Sequence, residues 1–443
     1  MDGATTAPRT IGLGLIGCGV VGTGILRLLR DNEATLGQRL GAPLEVRAIA
    51  TRDPSKVRDP VVPRELLTAD ASAVVDDPSV DVVVEVMGGV EPAGSLLRRA
   101  LEQGKHVVTA NKALLAEEGD ALLELAEARN LDLYFEAAVA GGVPILRVLR
   151  EGLASDRIVA LRGIVNGTSN YVLSRMEHDG LEFDEALREA QAAGYAEADP
   201  SRDVGGGDAA HKLSILATMA YGARVHPRQI EVEGIDEVSR LDMDYASRFG
   251  FVIKPLAVAR PTDGGLDLRV HPALVPRGGV LASIGGALNA VYVEGAKVGR
   301  CLLSGPGAGA GPTAMSVVSD IVDVGRNLLA ATHARVPSRA FRGESLQDTP
   351  ARPLSEHRGG YYLRFSATDH AGVLGRLAGV LGGFDVSIGQ MMQDGRAPEG
   401  GTVSVVMLTH EALERDVRAA LAEIDRLALS TAPARLLRIE DDR

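Results

Sequence analysis

Over the first third of the chain, apolar positions fall in short unbroken runs separated by stretches with a helical period. The run IGLGLI is followed by a glycine turn and the amphipathic stretch VVGTGILRLLRD. LEVRAIA, VDVVVEVMGG (80–89) and residues 106–109 are further runs, as expected of parallel strands buried on both faces. Helical patterns over 95–103 and 120–128 and a strand over 131–137 continue the alternation. It predicts an α/β, Rossmann-type doubly wound sheet over 10–142, behind a disordered tail at 1–9.

The pattern changes after Pro144. Helical segments over 145–153, 170–177, 183–192 and 208–221 mix with strand-like ones over 158–165, 251–260, 266–272 and 289–294. This predicts an α+β domain over 143–309, with a mostly antiparallel sheet and helices on one face. A glycine-rich loop at 305–313 then leads into a helix over 314–331, expected to return to the first domain and complete it over 310–336. Residues 337–359, rich in Pro, Arg, Ser and Gly, read as a linker. Beyond them come a strand (361–367), a helix (373–381), strands (384–389 and 402–408), a helix (413–427) and a strand (434–439). This is the ferredoxin-like βαββαβ plan, over 360–443.

Composition narrows the function classes. With 47 Lys and Arg against 59 Asp and Glu, the formal charge is −12, and there is no Trp. Neither nucleic acid nor an anionic membrane is expected as partner. Cys18 and Cys301, the only cysteines, make no disulfide framework. No apolar run reaches membrane-spanning length and the N-terminus lacks a signal pattern, so a cytoplasmic protein is expected.

Three places carry candidate chemistry. Gly17, Gly19 and Gly22 form G-x-G-x-x-G between strand and helix, and the turn Gly17-Cys18-Gly19-Val20-Val21-Gly22 suits a dinucleotide pyrophosphate. At the next strand tip, Arg52 and Lys56 favour NADP, while Asp53 keeps NAD open. Met87 and Gly88 end another strand at the edge that borders a cofactor, and Lys112 follows at the same edge; a helix-start surface lysine is the plainer alternative.

The second place is EADPSRDVGGGDAAHKL, with Glu197, Asp199, Asp203 and Asp208 around a glycine run, and Lys212 beyond it. Asp208 and Lys212 share one helix face as i and i+4, on an apolar stripe with Ala209, Ile215 and Leu216. Partial burial would make the lysine competent in proton transfer; an ordinary ion pair is the alternative. Asn166-Gly167-Thr168, where a strand becomes a helix, can hold a small polar substrate or only cap the helix. In the third place, Glu136 is followed by small residues and glycines up to Pro144. Exposed carbonyls there suit a monovalent cation, with a domain hinge as the alternative.

GCGVVG, VVTANK, EAAVAGGVPI, VNGTSNY, YAEADPSRDVGGGDAAHKL and GPGAGAGPTA occur in that order. As an ordered set they resemble the long, monofunctional members of the homoserine dehydrogenase family, over nearly the whole chain after residue 9. The resemblance implies reversible NAD(P)-dependent reduction of L-aspartate 4-semialdehyde to L-homoserine, on the route to threonine, methionine and isoleucine. It makes Lys212 the proton donor or acceptor, sets Lys112 near nicotinamide and substrate, and gives Glu197 and Asp208 to the substrate. Asn166, Gly167 and Thr168 become a substrate-side loop, and Gly305 and Gly307 a loop beside the cofactor. Glu136, Val139, Gly141 and Val143 become a sodium-type cation site. The C-terminal βαββαβ resembles an ACT domain, with Asp369, Gly372, Val373 and Leu374 in its ligand loop and threonine as the implied effector. A homo-oligomer, at least a dimer, is expected. The rivals are a thioester-forming semialdehyde dehydrogenase, which needs a Cys beside a His, and a non-catalytic sensor of nucleotide and amino acid.

Overall fold

The computed structural model describes residues 9–395 and 401–441 and divides into two compact units. One comprises Met1–Leu161, Ala210–Arg228 and Asn289–Thr349; the other comprises Arg162–Ala209, Gln229–Leu288 and Pro350–Arg443. The tail expected at 1–9 lies outside the described residues except for Arg9, which pairs with Asp81 at 2.7 Å.

The first unit begins with β1 (Ile11–Ile16), α1 (Val20–Asp31), α2 (Glu33–Leu40), β2 (Leu44–Ala50), β3 (Leu67–Thr68) and α3 (Ala71–Asp76). It continues with β4 (Val82–Glu85), α4 (Ala93–Glu102), β5 (His106–Thr109), α5 (Lys112–Ala128), β6 (Leu133–Tyr134) and α6 (Ile145–Arg147). The strands form one parallel sheet in the order β3-β2-β1-β4-β5-β6. The order reverses between β1 and β4, and the carboxyl ends of strands at such a point border a ligand crevice.

Three boundaries differ from the sequence reading. The strand expected at 80–89 is confined to Val82–Glu85, so that Met87 and Gly88 lie in the turn after it. The helix expected at 120–128 starts eight residues earlier, at Lys112, because Asn111 caps it. The strand expected at 131–137 stops at Tyr134, and Glu136–Ala138 form a 3-10 turn. There the Glu136 amide donates to Asp320 Oδ2 at 2.7 Å instead of to a neighbouring strand.

The chain continues through β7 (Ile158–Ile164), α7 (Gly167–Asp179), α8 (Phe183–Ala192), α9 (Ser201–Val204) and α10 (Gly207–Tyr221). Next come β8 (Glu231–Val232), α11 (Arg240–Arg248), β9 (Phe251–Thr262) and β10 (Gly265–Pro276). β11 (Leu288–Gly295) and β12 (Gly299–Pro306) pair with each other and lead into α12 (Ala310–Leu329). α12 packs on α1 in the first unit, where a Cβ on Gly24 would stand 2.6 Å from Ala310 O. Its Val317, Ile321 and Val324 share a core with Ile11, Leu13 and Ile25.

The last elements are β13 (Arg358–Thr368), α13 (Val373–Gly383), β14 (Ile388–Gln393), β15 (Thr402–Thr409), β16 (Ala412–Leu413), α14 (Glu414–Arg426) and β17 (Arg435–Ile439). β17-β13-β15-β14 are antiparallel neighbours. Alternate residues face opposite ways. Tyr361, Leu363 and Phe365 join Leu377 and Leu381 of α13 and Val417 and Ile424 of α14 in one core. Tyr362 and Leu437 instead join a core with Val172, Met243, Ile253 and Leu274.

The C-terminal segment is therefore not a separate body behind a free linker. β17 pairs in parallel with β10 (Ala273 with Arg438, Leu274 with Ile439), directly beyond the stretch of β10 that pairs with β8. The second unit's sheet is consequently mixed, running β7-β9-β10-β17-β13-β15-β14. Residues expected as linker include the buried Ser338, Arg339 and His357, and β13 already starts at Arg358. β14 starts at Ile388, later than expected, because Phe384 caps α13 and Asp385 turns the chain with φ +62°. Among the described residues, no helix is long and apolar enough to cross a membrane.

Candidate functional site

The glycine turn after β1 uses each glycine differently. Gly17 has φ +110°, and a Cβ there would stand 2.8 Å from the Val86 and Met87 backbone. A Cβ on Gly22 would stand 2.4 Å from Gly17 O, so this glycine sets how closely α1 approaches the turn. A Cβ on Gly19 would meet nothing within 4 Å. No packing among the described residues requires Gly19, so its backbone is left approachable at the start of α1, where free amides favour an anion. Cys18 is buried, and burial pushes its thiol pKa up, with Arg58 and a Thr23 hydrogen bond opposing. Val20 is exposed and Val21 half-buried at the start of α1.

At the tip of β2, Arg52 and Lys56 are exposed, and Asp53 turns back to accept from Ser55 N at 2.9 Å. The side chain that reaches the glycine turn is Arg58. It donates to Cys18 O at 2.5 Å, to Asp53 O at 3.1 Å and to Thr51 Oγ1. Sequence spacing did not single out Arg58, because the loop fold that brings it back is set by these carbonyls.

The tips of β4 and β5 are tied by another residue that sequence reasoning missed. Glu85 is fully buried, and its carboxylate accepts from Met87 N at 2.8 Å and Gly88 N at 3.0 Å. The Thr109 hydroxyl donates to its other oxygen at 2.5 Å and accepts from Asn111 N at 3.0 Å. Asn111 donates to Gly89 O at 2.6 Å and accepts from Leu114 N at 3.1 Å, which starts α5 with Lys112 half-buried in its first turn.

In the second unit, Asn166 organises the acid-rich stretch. Its Oδ1 caps α7 by accepting from Ser169 N at 2.8 Å, while its Nδ2 donates to Asp203 Oδ1 at 2.8 Å and Asp208 Oδ2 at 2.9 Å. Capping and carboxylate binding are thus both present in one side chain. Gly167 is the first residue of α7, and the Thr168 hydroxyl donates to Tyr195 O at 2.6 Å. Glu197 and Asp199 are not drawn into this group. Both stay on an exposed loop, where Asp199 accepts from Ser201 N at 3.1 Å and its pKa is lowered by that residue. Two carboxylates converging on one amide concentrate negative potential, which suits an ammonium group.

α10 carries Asp208 in its first turn and Lys212 one turn later. Both are buried, at 8% exposure, on a helix whose Ala209, Ile215 and Leu216 are buried too. A lysine in such surroundings can deliver or take a proton at a substrate oxygen.

The remaining glycines are used against each other. A Cβ on Gly141 (φ +46°) would stand 2.3 Å from Gly307 O, and the Gly142 amide donates to Pro306 O at 3.1 Å. A Cβ on Gly307 would also strike Asn289, while one on Gly305 would make only ordinary contact with Val143. The close backbone approach implied by this run is therefore met within the first unit itself.

On the expected cation loop, Gly141 O accepts from Ser316 Oγ at 2.6 Å, and Val139 and Val143 are buried. The Glu136 carboxylate accepts from Leu146 N at 2.9 Å and Arg147 N at 2.8 Å, capping the next helical turn. Burial, then the neighbouring Asp320, pushes the Glu136 pKa up. In this arrangement both of its oxygens have amide donors and the carboxylate caps that turn.

In the C-terminal part, Asp369 follows β13 with its amide donating to Gly401 O at 2.9 Å. Gly372, at φ +92°, caps α13, which begins with Val373 and Leu374.

Comparison with known proteins gives one answer. A family model for "Homoserine dehydrogenase, NAD binding domain" matches residues 17–136, and one for "Homoserine dehydrogenase" matches 144–322. The homoserine dehydrogenases of Neisseria gonorrhoeae and Pseudomonas aeruginosa are each 42% identical, over 98% of this chain and 99% of theirs. A crystal structure of a homoserine dehydrogenase from Thiobacillus denitrificans is similar with TM-score 0.93 and 44% identity, over 99% of this chain and 100% of that one. A hyperthermophilic archaeal homoserine dehydrogenase in complex with NADPH is similar with TM-score 0.61 and 27% identity, over 71% of this chain and 98% of that one. With relatives this similar along nearly the whole of both sequences, and with a glycine turn and buried Asp208 and Lys212 in place, the chain belongs to the homoserine dehydrogenase family.

Proposed function

We infer that the chain catalyses reversible, NAD(P)-dependent interconversion of L-homoserine and L-aspartate 4-semialdehyde. As a homoserine dehydrogenase it is an NAD(P)-dependent oxidoreductase. The observation that carries the assignment of roles is the short helical step from Asp208, held by Asn166, to the buried Lys212.

The glycine turn suits the dinucleotide, because Gly19 leaves backbone open where Gly17 and Gly22 are fixed by packing. When bound, the nicotinamide supplies or accepts the hydride. Proton movement and orientation fall to the protein. Asp208 and Asp203 hold the substrate's ammonium and hydroxyl, with Asn166 fixing both carboxylates. Glu197 and Asp199, on their exposed loop, could join only if that loop closes on substrate. Lys212 gives a proton to the carbonyl oxygen during reduction and takes it back during oxidation, and its charge favours the developing alkoxide. Lys112, at the start of α5, is the second cation at the reacting end.

NADP is the preferred cofactor in this reading, supported by the NADPH complex of the archaeal relative and by the exposed cations Arg52 and Lys56 after β2. The βαββαβ order of the C-terminal elements and the left-handed Gly372 before α13 support an ACT-like role with threonine as effector. At least a dimer goes with it, to be checked by light scattering. A thioester mechanism is disfavoured, because burial keeps the Cys18 thiol protonated. The deciding experiment is homoserine-dependent reduction of NADP and of NAD, each with and without threonine. Activity with either cofactor supports the assignment, and inhibition by threonine supports the effector. A folded protein inactive with both would overturn it.

A further inference from the structure

The turn that carries Asp203 and Asp208 is seated on another segment of the same unit. Gly206 has φ +84°, and a Cβ there would stand 2.8 Å from Val232 Cγ1 and 3.1 Å from Val270 Cγ1. A Cβ on Gly234 would meet the Asp236 carboxylate, a side chain that can move aside, and would stand 2.9 Å from Val204 O and 3.1 Å from Gly205 Cα, which are backbone. The Ile235 amide donates to Val204 O at 2.9 Å. Residues 204–206 and 232–235 thus meet backbone to backbone, and close packing means that neither can shift without the other.

Segment 232–235 is anchored in the core by Ile235 but is otherwise held by few bonds. β8 is two residues long, and the Glu233 amide donates to Val270 O at 2.8 Å. The further anchor is the Glu233 side chain, gripped by both terminal nitrogens of Arg438, at 2.8 and 2.9 Å. Arg438 is 1% exposed, and its orientation is fixed by Glu414 of α14, at 2.7 and 2.6 Å. Paired, charge-assisted bonds of this kind are strong and directional.

We propose that Glu233 and Arg438 are positioning residues for substrate binding, through which β17 and α14 set the height of the Gly205–Gly206 turn and so the placement of Asp203 and Asp208. The route runs from Glu414 to Arg438, to Glu233, to Gly234 and Ile235, and then to Val204 and Gly205. It rests on the reading of Asp208 as a substrate residue. Freeing the turn should weaken the hold on the substrate's ammonium while leaving the cofactor's site as it was.

The test is steady-state homoserine oxidation by the full-length Glu233→Ala variant. The Glu233 side chain is 37% exposed and Arg438 keeps Glu414, so no buried charge is left unpaired. KM for homoserine should rise about tenfold, with kcat and the cofactor KM within about twofold. Gly234→Ala should act in the same direction, by contact with Val204 and Gly205. Glu237→Ala, which breaks the neighbouring Glu237–Arg435 pair on the same two segments, should leave KM unchanged. Should Glu233→Ala misfold, the near-isosteric Glu233→Gln replaces it. Wild-type KM for homoserine in the folded variants, or an equal loss in every constant, overturns the proposal. An Asp208→Asn variant run alongside separates the two readings: if it keeps wild-type kcat and KM, the assignment of the site has failed instead.

Discussion

The Thr109 hydroxyl at the end of β5 donates to the buried Glu85 carboxylate at the end of the neighbouring strand β4, at 2.5 Å. Through Glu85 and Asn111 this pair also fixes the turns that follow both strands. Glu85→Gln places an amide NH2 where the carboxylate accepts these donors. It is expected to cost about 1–3 kcal/mol of stability and to raise the cofactor KM several-fold. Thermal unfolding and cofactor titration check this, and an unchanged cofactor KM would sink the positioning role.

Lys212→Ala should lower kcat by roughly 10²–10⁴, the usual contribution of a proton-transfer group. Cofactor affinity, measured by fluorescence titration, should stay near wild type. A kcat close to normal removes Lys212 from the chemistry.

The glycines of the turn separate folding from binding. Gly17→Ala forces a side chain into φ +110° and against the Val86–Met87 backbone, so Tm should fall. Gly19→Ala meets no atom within 4 Å among the described residues beyond its chain neighbours, so Tm should hold while cofactor affinity drops. Equal Tm losses in both would contradict this division.

Arg58 ties Cys18 O to Thr51 and Asp53, whereas Arg52 and Lys56 are exposed. Arg58→Ala is therefore expected to weaken NADP and NAD alike, while Arg52→Ala and Lys56→Ala change mainly the NADP:NAD ratio. The kcat/KM for each cofactor in the three variants decides it. An Arg58→Ala effect confined to NADP would place that guanidinium at the 2′-phosphate.

Acid stability should depend on the C-terminal acids. The Glu440 pKa is held down to about 2: burial opposes this, but Arg269 leads the cations that outweigh it. In the unfolded chain the group titrates near the ordinary value of 4.5 and binds more protons between the two values. Its stabilisation is thus present above the unfolded value and lost as pH falls towards 2, on the order of 3 kcal/mol in all. Urea unfolding across that window should show a shallower pH slope for Glu440→Gln than for wild type. Equal slopes would mean that the group does not titrate as stated.

Local signals were legible in the sequence, and non-local ones were not. α8 falls on residues 183–192, where the helical period sets it, and the burial of Lys212 follows from the apolar stripe it shares. Glu85 reads in sequence as one acid inside an apolar strand, and only its neighbour β5 reveals what it holds. Arg58 is hidden for the same reason, since a loop brings it back. Within the acid-rich stretch, spacing does not say which acids come together: Glu197 and Asp199 are neighbours of Asp203 in sequence, but Asn166 gathers Asp203 and Asp208. The pairing of β17 with β10 left no sequence signal, because the partner strands lie more than 150 residues apart.

The shared edge of β10 has an evolutionary consequence. Arg269, 1% exposed, has one counter-charge on its own strand (Asp267) and another on the C-terminal segment (Glu440). Loss of that segment would strip the edge of β10 at Ala273–Leu274 of its hydrogen-bonded partner and leave Arg269 with Asp267 as the counter-charge of its own strand. A chain shortened before β13 is therefore expected to need matching replacements along β10, so that the segment is bound to the folding of this unit as well as to any effector it serves.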